Sequence, residues 1–327
     1  MKRRSLMSFG ALAAPAIVFP RLVQAQSLLP NKSLRFFVGF EPGGGGDLTA
    51  RAIATQVERR LSRHVIVENK TGFSGAVPGE LLKKGPPDGS QLALLSSTTL
   101  IAKLTMKDYP FDPLKDIAPV IQVGDFPIAF AVSRKLGVST FAEYLQWVKE
   151  GDASRRKIAV SSNVAFIQVL NVLLGKAIGE ALEVVSYRGP IAAVSDVEQG
   201  RIPASCNTVT SLLPAHRGGR VRILMTTGAK RLQVASDIPT ASELGYPKLD
   251  MREWFGFFAP PATPPAVINE WNRRLSLAIG DAAVGDVLRP LGLELETSTP
   301  AELAARVASH QMEWETRMKT AGMQPVL

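Results

Sequence analysis

FFVGFEPGGGGDLTAR, residues 36–51, joins an apolar run to four glycines and then to a polar helix start. The apolar residues predict a buried strand. Asp47 comes directly after the glycines, and aspartate is favoured at the N-cap of a helix. The helix that follows is predicted to be amphipathic, with three apolar residues on one face: Ile53, Val57 and Leu61. The stretch therefore predicts a strand, a glycine loop and a helix in that order.

Such a loop can bind an anion through the backbone. Glycine lets the main chain approach a ligand closely, and a helix N-terminus carries exposed N–H groups and a partial positive charge. The candidate anion-binding residues are Gly43, Gly44, Gly45, Gly46 and Asp47. The alternative is an ordinary glycine-rich turn in which Asp47 only caps its helix.

Two nucleotide-binding patterns are excluded at this loop. A P-loop requires Lys and then Ser or Thr after its last glycine, where this chain has Asp47 and Leu48. The dinucleotide fingerprint G-x-G-x-x-G requires a third glycine at a position that holds Leu48 or Thr49. The expected anion is therefore not a nucleotide phosphate.

Residues 1–25 are predicted to be an export signal. Basic residues precede a short apolar segment, Ser8–Phe19, and Val23-Gln24-Ala25 provides a small-residue cleavage site. The pair Arg3-Arg4 also fits a twin-arginine signal, and export by the Sec route stays open. Because the apolar segment is too short to span a bilayer, we expect a soluble mature chain in the periplasm that starts near Gln26.

The charge distribution suits a small anionic ligand better than a nucleic acid. The 327 residues carry a formal net charge of +9, and four basic residues belong to the export signal, which leaves about +5 on the mature chain. The remaining Lys and Arg residues are scattered and form no basic stripe with interleaved aromatics, so no nucleic-acid partner is expected.

No set of residues predicts catalysis or a metal centre. The chain has three histidines, none in a metal-ligand pattern, and it has no G-x-S-x-G elbow. One of them, His310, lies among polar residues of a predicted helix and is expected to be solvated. Cys206 is the single cysteine, and we expect it to be a small buried residue. We therefore expect no cofactor, no metal and no enzyme, with an exported hydrolase that uses Cys206 as the open alternative.

The length and the alternation of elements predict an α/β fold. About 300 mature residues suggest two domains. Strand-like runs alternate with helical patterns, which is typical of mainly parallel sheets. The predicted strands are Leu34–Phe40, Val65–Glu68, Leu92–Leu95, Ile128–Val132, Ile158–Val160, Val184–Tyr187, Ile223–Thr226 and Phe255–Ala259. Capping boxes at Thr140–Glu143 and Thr299–Glu302 mark two helix starts.

An exported two-domain α/β protein with an anion-binding loop favours a binder that closes around a small molecule. Seven sequence blocks occur in a fixed order along the chain: Leu34–Arg51, Val65–Gly75, Pro87–Leu92, Phe111–Val120, Val185–Gly189, Asp237–Gly245 and Trp254–Pro260. Together they resemble the extracytoplasmic solute receptors of tripartite tricarboxylate transporters, also called Bug-type binding proteins. The second block, for example, reads VIVENKTGFSG and is similar to the family's V-V-E-N-R-x-G-A-x-G.

The resemblance implies two α/β domains around a ligand cleft, the type II periplasmic-binding-protein arrangement. It implies that the first domain comprises residues 26–129 and 255–327 and that the second comprises residues 130–254. In the first domain, one ligand carboxylate would be held by the glycine loop and by a second loop: Thr71, Gly72, Phe73, Ser74 and Gly75. Ser96 would offer a hydroxyl group, with a helix cap as its alternative role.

The second domain departs from the family pattern. The segment Ser161–Gln168, SSNVAFIQ, lacks the usual glycines and histidine, and Pro203 and Asn207 replace the family's acids. We hypothesise a ligand whose far end is apolar or aromatic and contacts Phe166 or Phe73. The alternative is that Phe166 packs in the core of the domain.

Tyr187 lies where relatives have a turn that lines the cleft, so it is expected either to contact the ligand or to pack its ring. The candidate ligand contacts in the second domain are therefore Ser161, Ser162, Asn163, Phe166, Tyr187 and Asn207.

The function that the resemblance implies is transport. A monomeric receptor would bind a small organic acid and deliver it to the membrane subunits of a tripartite tricarboxylate-type transporter. The alternative is an orphan receptor that signals to a sensor kinase, which the sequence does not separate from transport.

Overall fold

The computed structural model describes residues 28–161, 165–179 and 181–323. The predicted export signal, Ser162 and Asn163 lie outside this part of the chain. The described strands are β1 (Leu34–Val38), β2 (Val65–Asn69), β3 (Gln91–Ser96), β4 (Ala118–Ser133), β5 (Lys157–Val160), β6 (Glu183–Ser186), β7 (Ala204–Thr208), β8 (Val221–Thr226), β9 (Arg252–Ala259) and β10 (Glu294–Leu295). The described α-helices are α1 (Gly45–Leu61), α2 (Val77–Lys83), α3 (Ser97–Ile101), α4 (Phe141–Lys149), α5 (Ala165–Ile178), α6 (Pro190–Glu198), α7 (Val209–Arg217), α8 (Pro265–Ile279), α9 (Ala282–Leu288) and α10 (Pro300–Ala321). Across these ranges, no helix is long and apolar enough to cross a membrane.

The strands form two sheets that share β4. In the first sheet the order is β2-β1-β3-β9-β4, with β10 also paired to β4. In the second sheet the order is β6-β5-β7-β4-β8. We call the part of the chain around the first sheet lobe 1 and the part around the second sheet lobe 2. Each sheet thus repeats the same plan, three parallel strands followed by a long antiparallel one.

The expectation of mainly parallel sheets is only half correct. The pairs within β1, β2 and β3, and within β5, β6 and β7, are parallel. Every pairing made by β4 or β9 is antiparallel. The reason is that these two strands carry the chain between the lobes, and each inserts into a sheet against the direction of its neighbours.

β4 changes sheets in the middle. Residues 118–127 pair with β9 in the first sheet, and residues 128–133 pair with β7 and β8 in the second. The chain returns to the first sheet at Arg252, where β9 begins. The hydrophobic core is also continuous between the lobes. One buried cluster contains Phe36 of β1 and Phe257 of β9 together with Val209 of lobe 2.

The last helix connects the two lobes from the outside. It begins at the predicted capping box, in which Thr299 and Glu302 satisfy each other's backbone N–H groups. Arg306 of α10 forms an ion pair with Asp125 of β4 at 2.9 Å. Farther along the helix, Trp314 and Met318 join the core cluster of lobe 2. The α10 helix therefore spans both lobes.

The other capping box is only partly confirmed. The Thr140 side chain caps α4 as predicted by accepting a hydrogen bond from the N–H of Glu143. The strongest backbone hydrogen bond to the Glu143 carboxylate comes from the N–H of Ser139, at 2.7 Å, one residue before the N-cap.

The expectation of a solvated His310 is wrong. Its ring lies between Trp254 and Trp314, with centroid distances of 5.8 and 6.0 Å. Burial, reinforced by the nearby Arg306 and Arg317 charges, lowers the pKa of His310 to about 3. It is therefore a neutral packing residue of α10.

A buried acid lies where β9 re-enters the first sheet. The Glu253 carboxylate accepts hydrogen bonds from the Ser97 hydroxyl at 2.7 Å and from the Thr98 N–H at 3.0 Å. Its other oxygen has no hydrogen-bond partner among the described residues, and the residue is 1% exposed. Burial raises the pKa of Glu253 above its ordinary 4.5 and outweighs these two hydrogen bonds.

This raised pKa predicts how stability depends on pH. The folded protein binds the Glu253 proton more tightly than the unfolded chain does. Protonated Glu253 therefore contributes fully to the stability of the fold below the unfolded pKa of 4.5, and this contribution is lost as pH rises toward the folded pKa. We expect the free energy of unfolding of Glu253→Gln to exceed that of the wild type by a margin that widens from pH 4.5 to pH 8. Urea unfolding at several pH values measures that margin, and a margin independent of pH would contradict the assignment.

Candidate functional site

A cavity of about 760 Å³ lies between the two lobes. Its walls come from the loops at the carboxyl ends of the parallel strands of both sheets, the usual place for ligands in α/β folds. From lobe 1 it is lined by Gly39, Phe40, Glu41, Gly44, Gly45, Gly46, Thr71, Gly72, Phe73, Ser74, Gly75, Ser96, Thr98, Thr99, Phe126 and Phe255. From lobe 2 it is lined by Ser161, Ser186, Tyr187, Arg188, Gly189, Pro190, Thr208, Thr210 and Ser211.

Most of the residues predicted from the sequence lie in this lining. The exceptions among the described residues are Gly43, Asp47 and Asn207, which are absent from the cavity wall. Phe166 lies in the first turn of α5, and Ser162 and Asn163 fall outside the described residues.

The glycine loop places the start of α1 at the cavity. Gly44 occupies the N-cap and the helix begins at Gly45, so the prediction of Asp47 as the N-cap residue is wrong. The first N–H groups of a helix have no acceptor inside the helix. Gly45 and Gly46 are the first residues of α1 and both line the cavity, and a helix N-terminus at a cavity is a candidate site for an anion.

Asp47 organises this loop from behind. Its buried carboxylate accepts the N–H of Gly43 at 2.8 Å, the Nε of Arg51 at 2.9 Å and the Nδ2 of Asn69 at 2.8 Å. The same Asn69 amide donates to the carbonyl of Phe40 at 3.0 Å. One carboxylate thus connects the loop, the first turns of α1 and the end of β2.

These hydrogen bonds keep Asp47 ionised. Burial alone would raise the pKa of its carboxyl, but the hydrogen bonds from Arg51, Gly43 and Asn69 together hold that pKa below 3.8. The charge is neutralised within this network, so it does not face the cavity as a free anion.

The second loop is built from backbone conformations that side chains rarely adopt. Phe73 has φ +45° and Ser74 has φ +55°, both in the left-handed region. Such residues cluster at ligand-binding sites, where the surrounding structure holds them in place. Gly75 packs against Gly39 so closely that a methyl group on Gly39 would lie 2.7 Å from the Gly75 carbonyl oxygen. The two loops therefore form one continuous wall.

Ser96 takes the capping role that the sequence left open. Its hydroxyl accepts the N–H of Thr99 at 3.2 Å as the N-cap of α3. The Thr99 hydroxyl in turn donates to the carbonyl of Ser74 at 3.1 Å. This chain fixes the second loop to the end of β3.

In lobe 2, Asn207 supports the cavity wall from behind. Its Oδ1 accepts the N–H of Ser161 at 2.9 Å, and its Nδ2 donates to the Ser205 hydroxyl at 2.6 Å. The residue is 1% exposed. Asn207 thus positions Ser161, which itself lines the cavity.

Tyr187 presents its ring rather than its hydroxyl. The hydroxyl donates to the Asp196 carboxylate at 2.6 Å. Partial burial and this hydrogen bond raise the pKa of Tyr187 to about 12. Because the hydroxyl of Tyr187 is hydrogen-bonded within the protein, two of the predicted roles remain for this residue: packing of its ring, or stacking of its ring on the ligand.

Sequence reasoning missed an aromatic wall and a set of hydroxyls. Phe126 and Phe255 line the cavity with ring centroids 4.6 Å apart, and Phe40 follows at 5.4 Å from Phe255. These phenylalanines lie in or beside strands, where the sequence pattern predicts ordinary core. The missed hydroxyls lie at the end of β7 (Thr208) and in the first turn of α7 (Thr210 and Ser211), and β7 is a strand that was not predicted.

The lobes touch across the cavity. A methyl group on Gly45 of α1 would overlap the Thr210 hydroxyl and would lie 2.8 Å from the Thr210 Cβ. Gly45 is therefore required by close approach between the lobes, and its φ is an ordinary helical one.

Among the described residues, neither Cys206 nor a cluster of metal-binding side chains forms a catalytic centre at the cavity. Cys206 is buried in the core of lobe 2, burial raises the pKa of its thiol, and it does not line the cavity. Within the described residues, no cluster of three His, Cys, Asp or Glu side chains is placed to hold a metal ion.

Comparison with known proteins identifies one family. Residues 49–322 match the model of the tripartite tricarboxylate transporter family receptor. Protein BugT of Bordetella pertussis (strain Tohama I) is 28% identical over 297 residues, which are 90% of this chain and 90% of BugT.

Solved structures show the same fold. The periplasmic binding protein BugD matches with a TM-score of 0.84 at 25% identity, over 90% of this chain and 99% of BugD. The R. palustris protein Rpa4515, solved with adipate, matches with a TM-score of 0.85 at 25% identity, over 91% of this chain and 99% of that protein. The architecture described above is thus that of two-domain periplasmic binding proteins.

The Asp47 network predicts a measurable cost of removing the carboxylate. In Asp47→Ala, the N–H of Gly43 and the amide of Asn69 lose their buried acceptor. We expect the free energy of unfolding to fall by about 1–3 kcal/mol, measured by urea denaturation.

Asp286→Ala is the matched control, since it removes an exposed carboxylate from α9. It should change the free energy of unfolding by less than about 0.5 kcal/mol. Equal stabilities of the two variants would show that the loop does not depend on Asp47.

Proposed function

We propose that this protein captures a small organic acid and delivers it to a membrane transporter of the tripartite tricarboxylate type. The chain belongs to the tripartite tricarboxylate transporter receptor family, and the proposal proceeds from that membership. Members of this family are solute-binding receptors and not enzymes, and the structural relative BugD is a periplasmic binding protein. The ligand class and the membrane partner are our proposal for this chain.

The observation that carries the proposal is the start of α1 at the cavity. Gly45 and Gly46, whose N–H groups have no acceptor within the helix, both line the cavity. The partial positive charge of the helix N-terminus adds to their attraction for an anion. The acid that follows them in sequence, Asp47, is neutralised by its own network and does not oppose an incoming carboxylate.

The aromatic wall supports an apolar body for the ligand. Phe40, Phe126 and Phe255 pack ring against ring in the cavity wall, where Phe126 and Phe255 are almost fully buried, and Phe73, whose side chain is exposed, lines the same cavity. The R. palustris relative was solved with adipate, which has a short hydrocarbon chain between two carboxylates and so also combines acid and apolar parts. We propose an acid with an apolar segment of a few carbons.

We also propose a two-lobe mechanism of capture. The chain would pass from one lobe to the other at two positions. The first lies between Pro127 and Ile128, where β4 changes sheets, and the second is Arg252, where β9 begins. These positions lie close to the boundaries at 129 and 254 that the sequence predicts. Ligand contacts made only in the closed form would shift the equilibrium toward closure. We propose a monomer exported through the signal at residues 1–25, by the twin-arginine or the Sec route.

Binding to the mature chain tests the proposal. Protein starting at Gln26, unfolded and refolded to remove bound ligand, is screened by thermal shift against monocarboxylates, dicarboxylates and aromatic acids. Each acid is paired with its primary amide. We expect at least one acid to stabilise the protein by about 2–3 kcal/mol at a hundred times its Kd, and its amide to do so far less. Equal stabilisation by the amides, or none by any acid, would contradict the proposal.

Closure gives a second prediction. Gly45→Ala places a methyl group against Thr210 of the other lobe. We expect calorimetry to show a loss of affinity for the best acid of at least tenfold, because the lobes can no longer approach. The double variant Gly45→Ala/Thr210→Gly removes the obstructing atoms and should recover most of that loss. Equal affinities of the wild type and Gly45→Ala would mean that this contact does not form in the bound state.

A further inference from the structure

Among the described residues that line the cavity, Glu41 is the one acid in a site otherwise suited to anions. Glu41 follows β1 directly and lines the cavity with its side chain half-buried. Its carboxylate reaches across to lobe 2, where a methyl group on Gly189 would overlap Oε2 and lie 2.7 Å from Oε1. The carboxylate is therefore held between the lobes and not on the outer surface.

The carboxylate of Glu41 has capacity to accept hydrogen bonds. Among the described residues, no side-chain hydrogen bond and no ion pair of Glu41 is formed within the protein. Gly189 is the N-cap of α6, so the carboxylate of Glu41 lies beside the start of that helix. The next residue, Pro190, has no N–H to donate. The carboxylate of Glu41 therefore keeps its capacity to accept hydrogen bonds from a ligand.

Few other residues of the cavity wall carry a charge that could pair with the carboxylate of Glu41. Of the described residues in the cavity wall, Glu41 and Arg188 are the ones that carry a formal charge at neutral pH. Arg188 is exposed, and the others are glycines, hydroxyls and apolar or aromatic side chains. A ligand carboxylate on the glycine loop would therefore share the cavity with a fixed negative charge on Glu41.

We propose that Glu41 makes this receptor select acids that also carry an ammonium group, and that it disfavours dicarboxylates. This inference rests on the proposed function. An ammonium group pairs with the carboxylate of Glu41 and donates the hydrogen bonds that the protein does not supply. A second carboxylate is repelled by Glu41, and in a closed cavity this repulsion is screened less than in water. Arg188, facing solvent, offsets that repulsion only in part.

A series of six-carbon acids tests the proposal at constant length. Hexanoate carries one carboxylate, adipate carries two, and norleucine and 6-aminohexanoate add an ammonium group at opposite ends of the chain. Their affinities are measured by calorimetry with the refolded mature protein. We expect one of the two amino acids to bind the wild type at least tenfold more tightly than hexanoate and adipate.

Variants of Glu41 test whether its charge causes the preference for amino acids. In Glu41→Gln, we expect the preference for the amino acid over adipate to fall at least tenfold, whereas Glu41→Asp, which keeps the charge, should retain a preference of the same sign. Arg188→Gln is the matched control of opposite charge and should weaken adipate more than either amino acid. Thermal unfolding of each variant shows that it is folded.

Three results would overturn the inference: adipate or hexanoate bound most tightly by the wild type, a preference unchanged in Glu41→Gln, or no binding of any acid in the series. The proposed function fails separately, if the panel of acids in the preceding screen, extended by these two amino acids, leaves the protein unstabilised or if the primary amides stabilise it equally.

Discussion

The site depends on the buried carboxylate of Asp47, which accepts hydrogen bonds from Gly43, Arg51 and Asn69. Four consecutive glycines have no intrinsic preference for one conformation, and ordering them costs more conformational entropy than ordering other residues. The network offsets that cost and fixes the loop on the end of β2. It also satisfies the N–H of Gly43 and the amide of Asn69 behind the loop, while Gly45 and Gly46 at the start of α1 line the cavity. Structure and proposed anion binding thus come from the same few hydrogen bonds.

The second constraint is the close approach of the lobes. Gly45 lies against Thr210, and Gly189 lies against Glu41, so both contacts join a backbone without a side chain to a polar side chain of the other lobe. β4 runs through both sheets, α10 packs on both lobes, and the chain passes between the lobes in the short segments around Pro127 and Arg252. This arrangement suits a receptor that closes on a ligand and opens again at its partner.

Local patterns of the sequence predicted local structure well. The strand, loop and helix around residues 36–51 and the cap of α10 follow from near-neighbour chemistry, and the family blocks correctly indicated the fold. Predictions failed where a residue's role depends on a distant partner. Asp47 was expected to cap its helix, but Asn69 across the loop makes it a central acceptor. His310 was expected in solvent, but Trp254 arrives from a remote strand to bury it. Phe126 and Phe255 have the sequence pattern of core residues, and only the assembled sheets reveal that they face a cavity.

The central claim is that the first turn of α1 holds the carboxylate of a bound organic acid. A crystal structure of the mature protein with the tightest acid from the screen measures this directly. The account predicts a carboxylate oxygen within hydrogen-bond distance of the N–H of Gly45 or Gly46, directly or through one ordered water, and the apolar part of the ligand on Phe126 and Phe255. A carboxylate bound instead by Arg188, with the ligand's apolar end toward α1, would contradict it.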